Sequence, residues 1–216
     1  MNFHIISIFP DSFKSYLSES IILRAVKKGL IRVNILNPRD FSEDKHRKVD
    51  DTPYGGGPGM VMKAEPILRA VEKIEKAAKK NRKPKIFILS PRGEQMTNKL
   101  AQKIAKEGKD IILISGRYEG IDHRVKKILK AKEISIGPYI LTGGELPAMV
   151  FIDAVTRQIK GALGKEASLE EKRIASGEVY TRPEVFKWKG KRHNVPKVLI
   201  SGHHAKIEEW RRKRSR

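Results

Sequence analysis

The sequence predicts an α/β protein built on a doubly wound parallel sheet, and three observations carry that expectation. Between residues 85 and 159, strand-like and helix-like segments alternate, the pattern of consecutive βα units. The strand segments are short, β-branched and apolar on both faces, as strands buried between two helical layers are. Successive strands end in loops of unusual, glycine-rich content, at the edge of a parallel sheet where ligands bind.

Residues 3–9 form a first strand, stopped by Pro10. Asp11 or Ser12 then caps a helix whose Phe13, Leu17, Ile21 and Ala25 recur at four-residue spacing, with Gly29 as its stop. Residues 31–36 are a second strand ended by Asn37-Pro38, and a long polar stretch with little periodicity follows at 39–63. Loops of that length in a compact domain are functional or mobile. Pro66 lies near the first turn of the next helix, which carries Ile67, Val71, Ile74 and Ala78 on one face. After a basic link at 79–85, strands are expected at 85–89, 110–114 and 133–136, each followed by a helix, at 97–107, near 122–129 and at 146–159. The organisation expected is a main domain at 1–160, a linker at 161–181 and a short, basic, mostly helical segment at 182–216, with Trp210 as candidate anchor.

Composition narrows the function classes. The 216 residues include 46 Lys and Arg against 25 Asp and Glu, a formal net charge of +21. A field of that size favours polyanions, nucleic acid foremost; lysine enrichment through heat adaptation is the alternative source. The absence of cysteine excludes disulfides, thiolate catalysis and cysteine-ligated metals. His203-His204 lacks further spaced ligands, so no metal site is expected. No apolar run is long enough to cross a bilayer, and Met1-Asn2-Phe3-His4 lacks the basic leader of a signal peptide. A cytoplasmic protein without membrane attachment is expected.

Three loops carry the chemistry: Ser90-Pro91-Arg92-Gly93, Ser115-Gly116-Arg117-Tyr118-Glu119-Gly120, and Gly137-Pro138-Tyr139-Ile140-Leu141-Thr142-Gly143-Gly144-Glu145. Glycines there let backbone amides and carbonyls approach a ligand directly. Neither a P-loop nor a strand-linked dinucleotide fingerprint is present, so a phosphate-held ligand loses its main support. Ile136, Leu141 and Leu146 among the glycines suit a purine ring or thioether, as in adenosine-type cofactors such as S-adenosylmethionine. The earlier stretch Asp50-Asp51-Thr52-Pro53-Tyr54-Gly55-Gly56-Gly57-Pro58-Gly59-Met60 is a candidate lid, with carboxylates able to accept from amino groups on a base edge.

Several runs taken together resemble one family. Pro53-Tyr54-Gly55-Gly56-Gly57-Pro58-Gly59-Met60, Gly116-Arg117-Tyr118-Glu119-Gly120-Ile121-Asp122 and Leu141-Thr142-Gly143-Gly144-Glu145-Leu146-Pro147-Ala148 are similar to motifs of the bacterial tRNA (guanine-N1)-methyltransferases. So are Tyr180-Thr181-Arg182-Pro183 and Val198-Leu199-Ile200-Ser201-Gly202. The resemblance implies a SPOUT-class parallel sheet whose cofactor loops are threaded as a deep trefoil knot, in a homodimer with its active site built between subunits. It implies S-adenosylmethionine as methyl donor and N1 of the guanosine just 3′ of the tRNA anticodon as acceptor. Gly116, Ile136, Gly137, Pro138, Tyr139, Ile140 and Leu141 match the family's cofactor-contacting positions, with Leu89, Ser90, Pro91, Tyr118, Gly143, Gly144 and Pro147 as further wall. Asp50, Pro58, Gly59, Glu119 and Ser168 match positions associated with the substrate.

Methyl transfer from a sulfonium is an in-line displacement, in which positioning does much of the work. N1 of guanine carries a proton, so the reaction calls for a general base and for a cation near O6, where charge develops. Arg157 matches the family's arginine for the second role. The family's base is an aspartate in the linker, four residues after a serine. Here the anchor ending in Ser168 is kept but that position is Lys172, and a protonated lysine accepts no proton. The segment before Tyr180 is also shortened, and the family usually continues through a helical C-terminal domain. Three expectations follow: Glu170 or Glu171 takes the base role; the chain binds cofactor and RNA with lost or altered transfer; or it is one domain of a longer protein. The first is favoured because the cofactor and lid sequences are intact. A basic nucleic-acid-binding module without cofactor is the remaining class, and the glycine-rich loops argue against it.

Overall fold

A computed structural model describes residues 1–78, 83–163 and 178–214, in two compact units, Met1–Gly164 and Lys165–Arg216. The larger unit opens with β1 (Asn2–Ile6), a 3-10 turn (Pro10–Phe13), α1 (Lys14–Leu17), α2 (Ser20–Lys27) and β2 (Arg32–Leu36). A second 3-10 turn (Pro38–Phe41) leads to the two-residue strands β3 (Asp50–Asp51) and β4 (Val61–Met62), then α3 (Ala64–Ala77) and β5 (Lys85–Gln95). It is completed by α4 (Asn98–Glu107), β6 (Ile111–Ser115), α5 (His123–Leu129), β7 (Lys132–Ser135) and α6 (Glu145–Thr156). The smaller unit contains β8 (Val185–Trp188), β9 (Lys191–Asn194), α7 (Lys197–Ile200) and α8 (His204–Arg212).

The main sheet has the order β2-β1-β6-β5-β7, with every neighbouring pair parallel. Side-chain alternation divides its apolar residues between two cores. Phe3, Ile5, Phe87, Leu89, Ile111 and Leu113 face α2, α4 and α6, where the Phe87 and Phe151 rings meet at 5.3 Å. Ile6, Ile88, Ile112 and Ile114 face α3 and α5. All five residues of β6 are buried, which is why its sequence shows no polar alternation.

Three expectations are corrected. The helix read as continuous from Asp11 to Gly29 is broken, because the Ser18 hydroxyl donates to the Lys14 and Ser15 carbonyls at 2.6 and 3.1 Å. That bond offers the turn an alternative to helix continuation, and Glu19 is extended while Ser20 takes φ +49°. The segment Ser90-Pro91-Arg92-Gly93 is a bulge inside β5 and not a loop after it: Leu89 and Glu94 both stand opposite Ile134. The C-terminal region contains a β8–β9 hairpin as well as helices, closed by Lys189 and Gly190, both at positive φ (+47° and +75°), as two-residue hairpin loops require. Trp210 of α8 packs edge-on to Tyr180 at 6.2 Å. No helix among the described residues is long and apolar enough to cross a membrane.

Candidate active site

Segments following the parallel strands converge on one cleft of about 540 Å³, within the range of small-molecule sites. The β5 bulge contributes Leu89, Ser90 and Pro91, and the loop after β6 contributes Gly116, Tyr118 and Glu119. The loop after β7 supplies Ile136, Gly137, Tyr139, Ile140, Leu141, Gly143 and Gly144, and α6 supplies Pro147. Of the wall residues expected from sequence, Pro138 does not line the cleft.

Local hydrogen bonds shape these loops. The Ser135 hydroxyl donates to the Gly137 carbonyl at 2.9 Å and accepts from the Gly137 amide at 3.2 Å. The Tyr139 hydroxyl donates back to the Ile136 carbonyl at 3.3 Å. Because β5 lies between β6 and β7 in the sheet, the loop leaving β7 must cross β5 to reach the end of β6. It does so at Gly144, whose amide donates to the Gly116 carbonyl at 2.9 Å. The buried Ser115 hydroxyl donates to the Gly144 carbonyl at 3.2 Å.

The crossing is held by a polar cluster that does not stand out in the sequence. Glu145, the first residue of α6, is only 3% exposed. Its Oε1 accepts from the Ser7 hydroxyl at 2.7 Å and its Oε2 from Arg117 Nε at 2.9 Å. Arg117 also donates through Nη1 to the Thr142 carbonyl at 3.1 Å and lies over the Phe9 ring at 4.6 Å. Both buried oxygens of the carboxylate are thus satisfied, which a buried charge requires. The only sequence signal is an acid placed where α6 turns apolar, and it says nothing about Ser7.

The long early stretch meets the cleft along one edge. β3 pairs with β4 antiparallel, Asp50 opposite Met62, which closes the intervening loop. The Glu119 amide donates to the Met60 carbonyl at 2.9 Å, and the Met62 amide donates to the Gly120 carbonyl at 2.9 Å. A methyl group placed on Gly59 would stand 2.7 Å from Glu119 Cγ, so these two expected substrate residues are neighbours. Asp50 and Pro58 are not in the cleft wall. Lys63 hydrogen-bonds Asp51 across 3.0 Å and holds its carboxyl below the usual aspartate range.

Arg157 is the C-cap of α6, about 18 Å along the helix axis from Glu145 at 1.5 Å per residue. It does not line the cleft of its own chain. One turn earlier, Asp153 accepts a hydrogen bond from the Tyr16 hydroxyl, which with burial pushes the tyrosine up to about 12. Ser168, Glu170, Glu171 and Lys172 lie outside the described residues.

A family model described as tRNA (Guanine-1)-methyltransferase TrmD matches residues 1–216. The chain is 47% identical to the tRNA (guanine-N(1)-)-methyltransferase of Clostridioides difficile (strain 630), over 100% of this chain and 92% of that protein. It is 50% identical to the tRNA (guanine-N(1)-)-methyltransferase of Thermomicrobium roseum, over 98% of this chain and 78% of that one. Against the protein of the same name from Dictyoglomus turgidum the identity is 47%, over 97% and 82% of the two chains.

Proposed function

The chain belongs to the tRNA (guanine-1)-methyltransferase family, and from that premise we propose that it methylates N1 of the guanosine just 3′ of the tRNA anticodon, with S-adenosylmethionine as donor. One observation carries the reading beyond the family name. The loops that match the family's cofactor positions come from separate strands, yet they line a single cleft.

The cleft residues fit an adenosine-type cofactor. Leu89, Ile136 and Leu141 offer apolar walls for a ring, and Gly116, Gly137 and Gly143 bring side-chain-free backbone into the lining. When bound, the cofactor supplies a methyl group activated on a sulfonium. The protein's part is to orient N1 towards that methyl, to take the N1 proton and to place a cation at O6. Glu119, on the cleft rim beside Gly59, is assigned to holding the guanine edge, with Asp50, Pro58 and Ser168. Arg157 is assigned to O6, and Glu170 or Glu171 to the proton.

A homodimer follows from the same assignment. Arg157 stands outside its own chain's cleft, so its guanidinium serves the reaction from a second chain. The trefoil threading is part of the reading too, supported by the return of the β7 loop across β5 to Gly116. We assign residues 1–160 to the catalytic domain, 161–181 to a linker and 182–216 to a basic RNA-facing segment in a cytoplasmic enzyme. The β8–β9 hairpin supports the RNA partner. Phe186 and Trp188 are 52% and 63% exposed, His193 stacks on Phe186 at 5.2 Å, and Lys187, Lys189, Lys191 and Arg192 stand among them. Flat rings interleaved with cations suit bases and phosphates.

The test is transfer of labelled methyl from S-adenosylmethionine to a tRNA transcript with guanosine 3′ of the anticodon, against the same transcript with adenosine there. Label on the first alone is expected. Cofactor binding without transfer would point instead to a homologue with lost or altered catalysis at Lys172. Glu170→Ala and Glu171→Ala, made separately, locate the base, and full activity in both would remove it from these residues.

A further inference from the structure

We propose that Arg117 is a positioning residue that sets the cofactor-binding geometry by bracing the second and third cleft loops against the buried Glu145 carboxylate. The inference rests on the functional reading above and adds a residue that does its work through others. Arg117 belongs to the loop after β6, yet its Nε reaches Glu145 on α6 at 2.9 Å and its Nη1 reaches the Thr142 carbonyl at 3.1 Å. Glu145 is in turn fixed by Ser7 at the end of β1, 138 positions away in the chain. The guanidinium plane rests against Phe9, 4.6 Å from the ring centroid. One side chain thus ties the exits of β1 and β6 to the approach to α6.

The glycines of the third loop are matched to this brace. A methyl group on Gly143 would fall 2.2 Å from Arg117 Nε, so a side chain at residue 143 would displace the guanidinium from its place over the loop. Residues 137–144, which line one side of the cleft, are therefore clamped at their end by Arg117. The requirement is for a fork and not merely a charge. Two acceptors on different segments and an aromatic face are engaged by one planar group, which lysine cannot reproduce. Lysine can still neutralise Glu145, so substitution separates the two roles.

The experiment compares wild type, Arg117→Lys, Arg117→Ala and Ser7→Ala by calorimetric titration with S-adenosylmethionine, thermal unfolding without ligand, and amide exchange over residues 137–144. Arg117→Lys should unfold a few degrees below wild type, exchange faster over 137–144 and bind about tenfold more weakly, the loss expected for a charge-assisted hydrogen bond. Arg117→Ala should weaken binding at least as much, and Ser7→Ala by less in the same direction. Wild-type affinity and exchange in Arg117→Lys would overturn the proposal, because they would show that charge balance alone suffices. If wild type itself binds no S-adenosylmethionine, the functional reading fails and the proposal with it. If wild type binds and the Arg117 variants bind equally well, only the proposal fails.

Discussion

Replacing Gly144 with alanine isolates a steric reason for a glycine. Its backbone angles, φ −84° and ψ −2°, suit any residue, so alanine introduces no backbone strain. The added methyl would lie 2.6 Å from Ser115 Cα, 2.9 Å from the Gly116 nitrogen and 2.9 Å from Ser115 Cβ. These atoms sit at the end of β6, a fully buried strand held by parallel partners on both sides, and they have little room to retreat. Overpacking of this kind costs about 3 kcal/mol, the upper part of the usual range. For a chain of this size that corresponds to a melting temperature lower by roughly 6–12 °C. The same clash lifts Gly144 from the Gly116 carbonyl, so cofactor affinity should fall as well. Gly108→Ala is the control. Gly108 has φ +62° and no neighbour within 4 Å of a built methyl, so alanine there costs about 1 kcal/mol of left-handed strain and leaves the cleft untouched. Thermal unfolding by circular dichroism and calorimetric titration with S-adenosylmethionine measure both effects. A Gly144→Ala chain that melts no lower than Gly108→Ala, or that keeps full cofactor affinity, would show that β6 yields to the added methyl.

Three further outcomes are expected. Burial lowers the pKa of His4 below its ordinary value of 6.5, against an opposing pull from Asp110. Its stabilising contribution is therefore complete above pH 6.5 and lost as pH falls through the folded-state value. His4→Gln should flatten the acid-side fall in melting temperature, and parallel curves for the two proteins would contradict this. Tyr16, pushed up to about 12 first by its hydrogen bond to Asp153, should appear in an ultraviolet titration as one late-ionising phenol among five tyrosines. The late step should vanish in Tyr16→Phe and shift down in Asp153→Asn. Its stabilising effect is present below pH 10 and lost as pH rises towards 12. Finally, if Arg157 serves a second chain as proposed, co-expressing Arg157→Ala with Glu119→Ala should restore methyl transfer that each variant lacks alone, because the mixed dimer would contain one intact site. No recovery despite mixed-dimer formation would remove Arg157 from the second chain's cleft.

Much of the fold was legible because its signals are local. The two-sided apolar runs of β5 and β6 and the amphipathic pattern of α3 and α4 each follow from burial at a fixed period. Asp122 and Thr97 cap α5 and α4 by accepting from Arg124 and Leu100 amides, where short polar residues precede apolar runs. The break at Ser18 was not legible, because apolar spacing continues through it and a single hydroxyl decides the turn. The hairpin was hidden by cations at Lys187, Lys191 and Arg192, which blur the alternation that marks a strand.

The cleft divides in the same way. The residue types are written in the chain: glycines where backbone forms the wall, apolar side chains between them, and the runs that assign the family. Tertiary structure alone decided which of them meet. The order β2-β1-β6-β5-β7 carries the β7 loop across β5 to Gly116, and it brings Ser7 to Glu145 and Arg117 to Thr142. The physical reason is burial of charge. A carboxylate at the start of α6 is tolerated only where donors satisfy it, and those donors come from segments whose proximity no local pattern encodes.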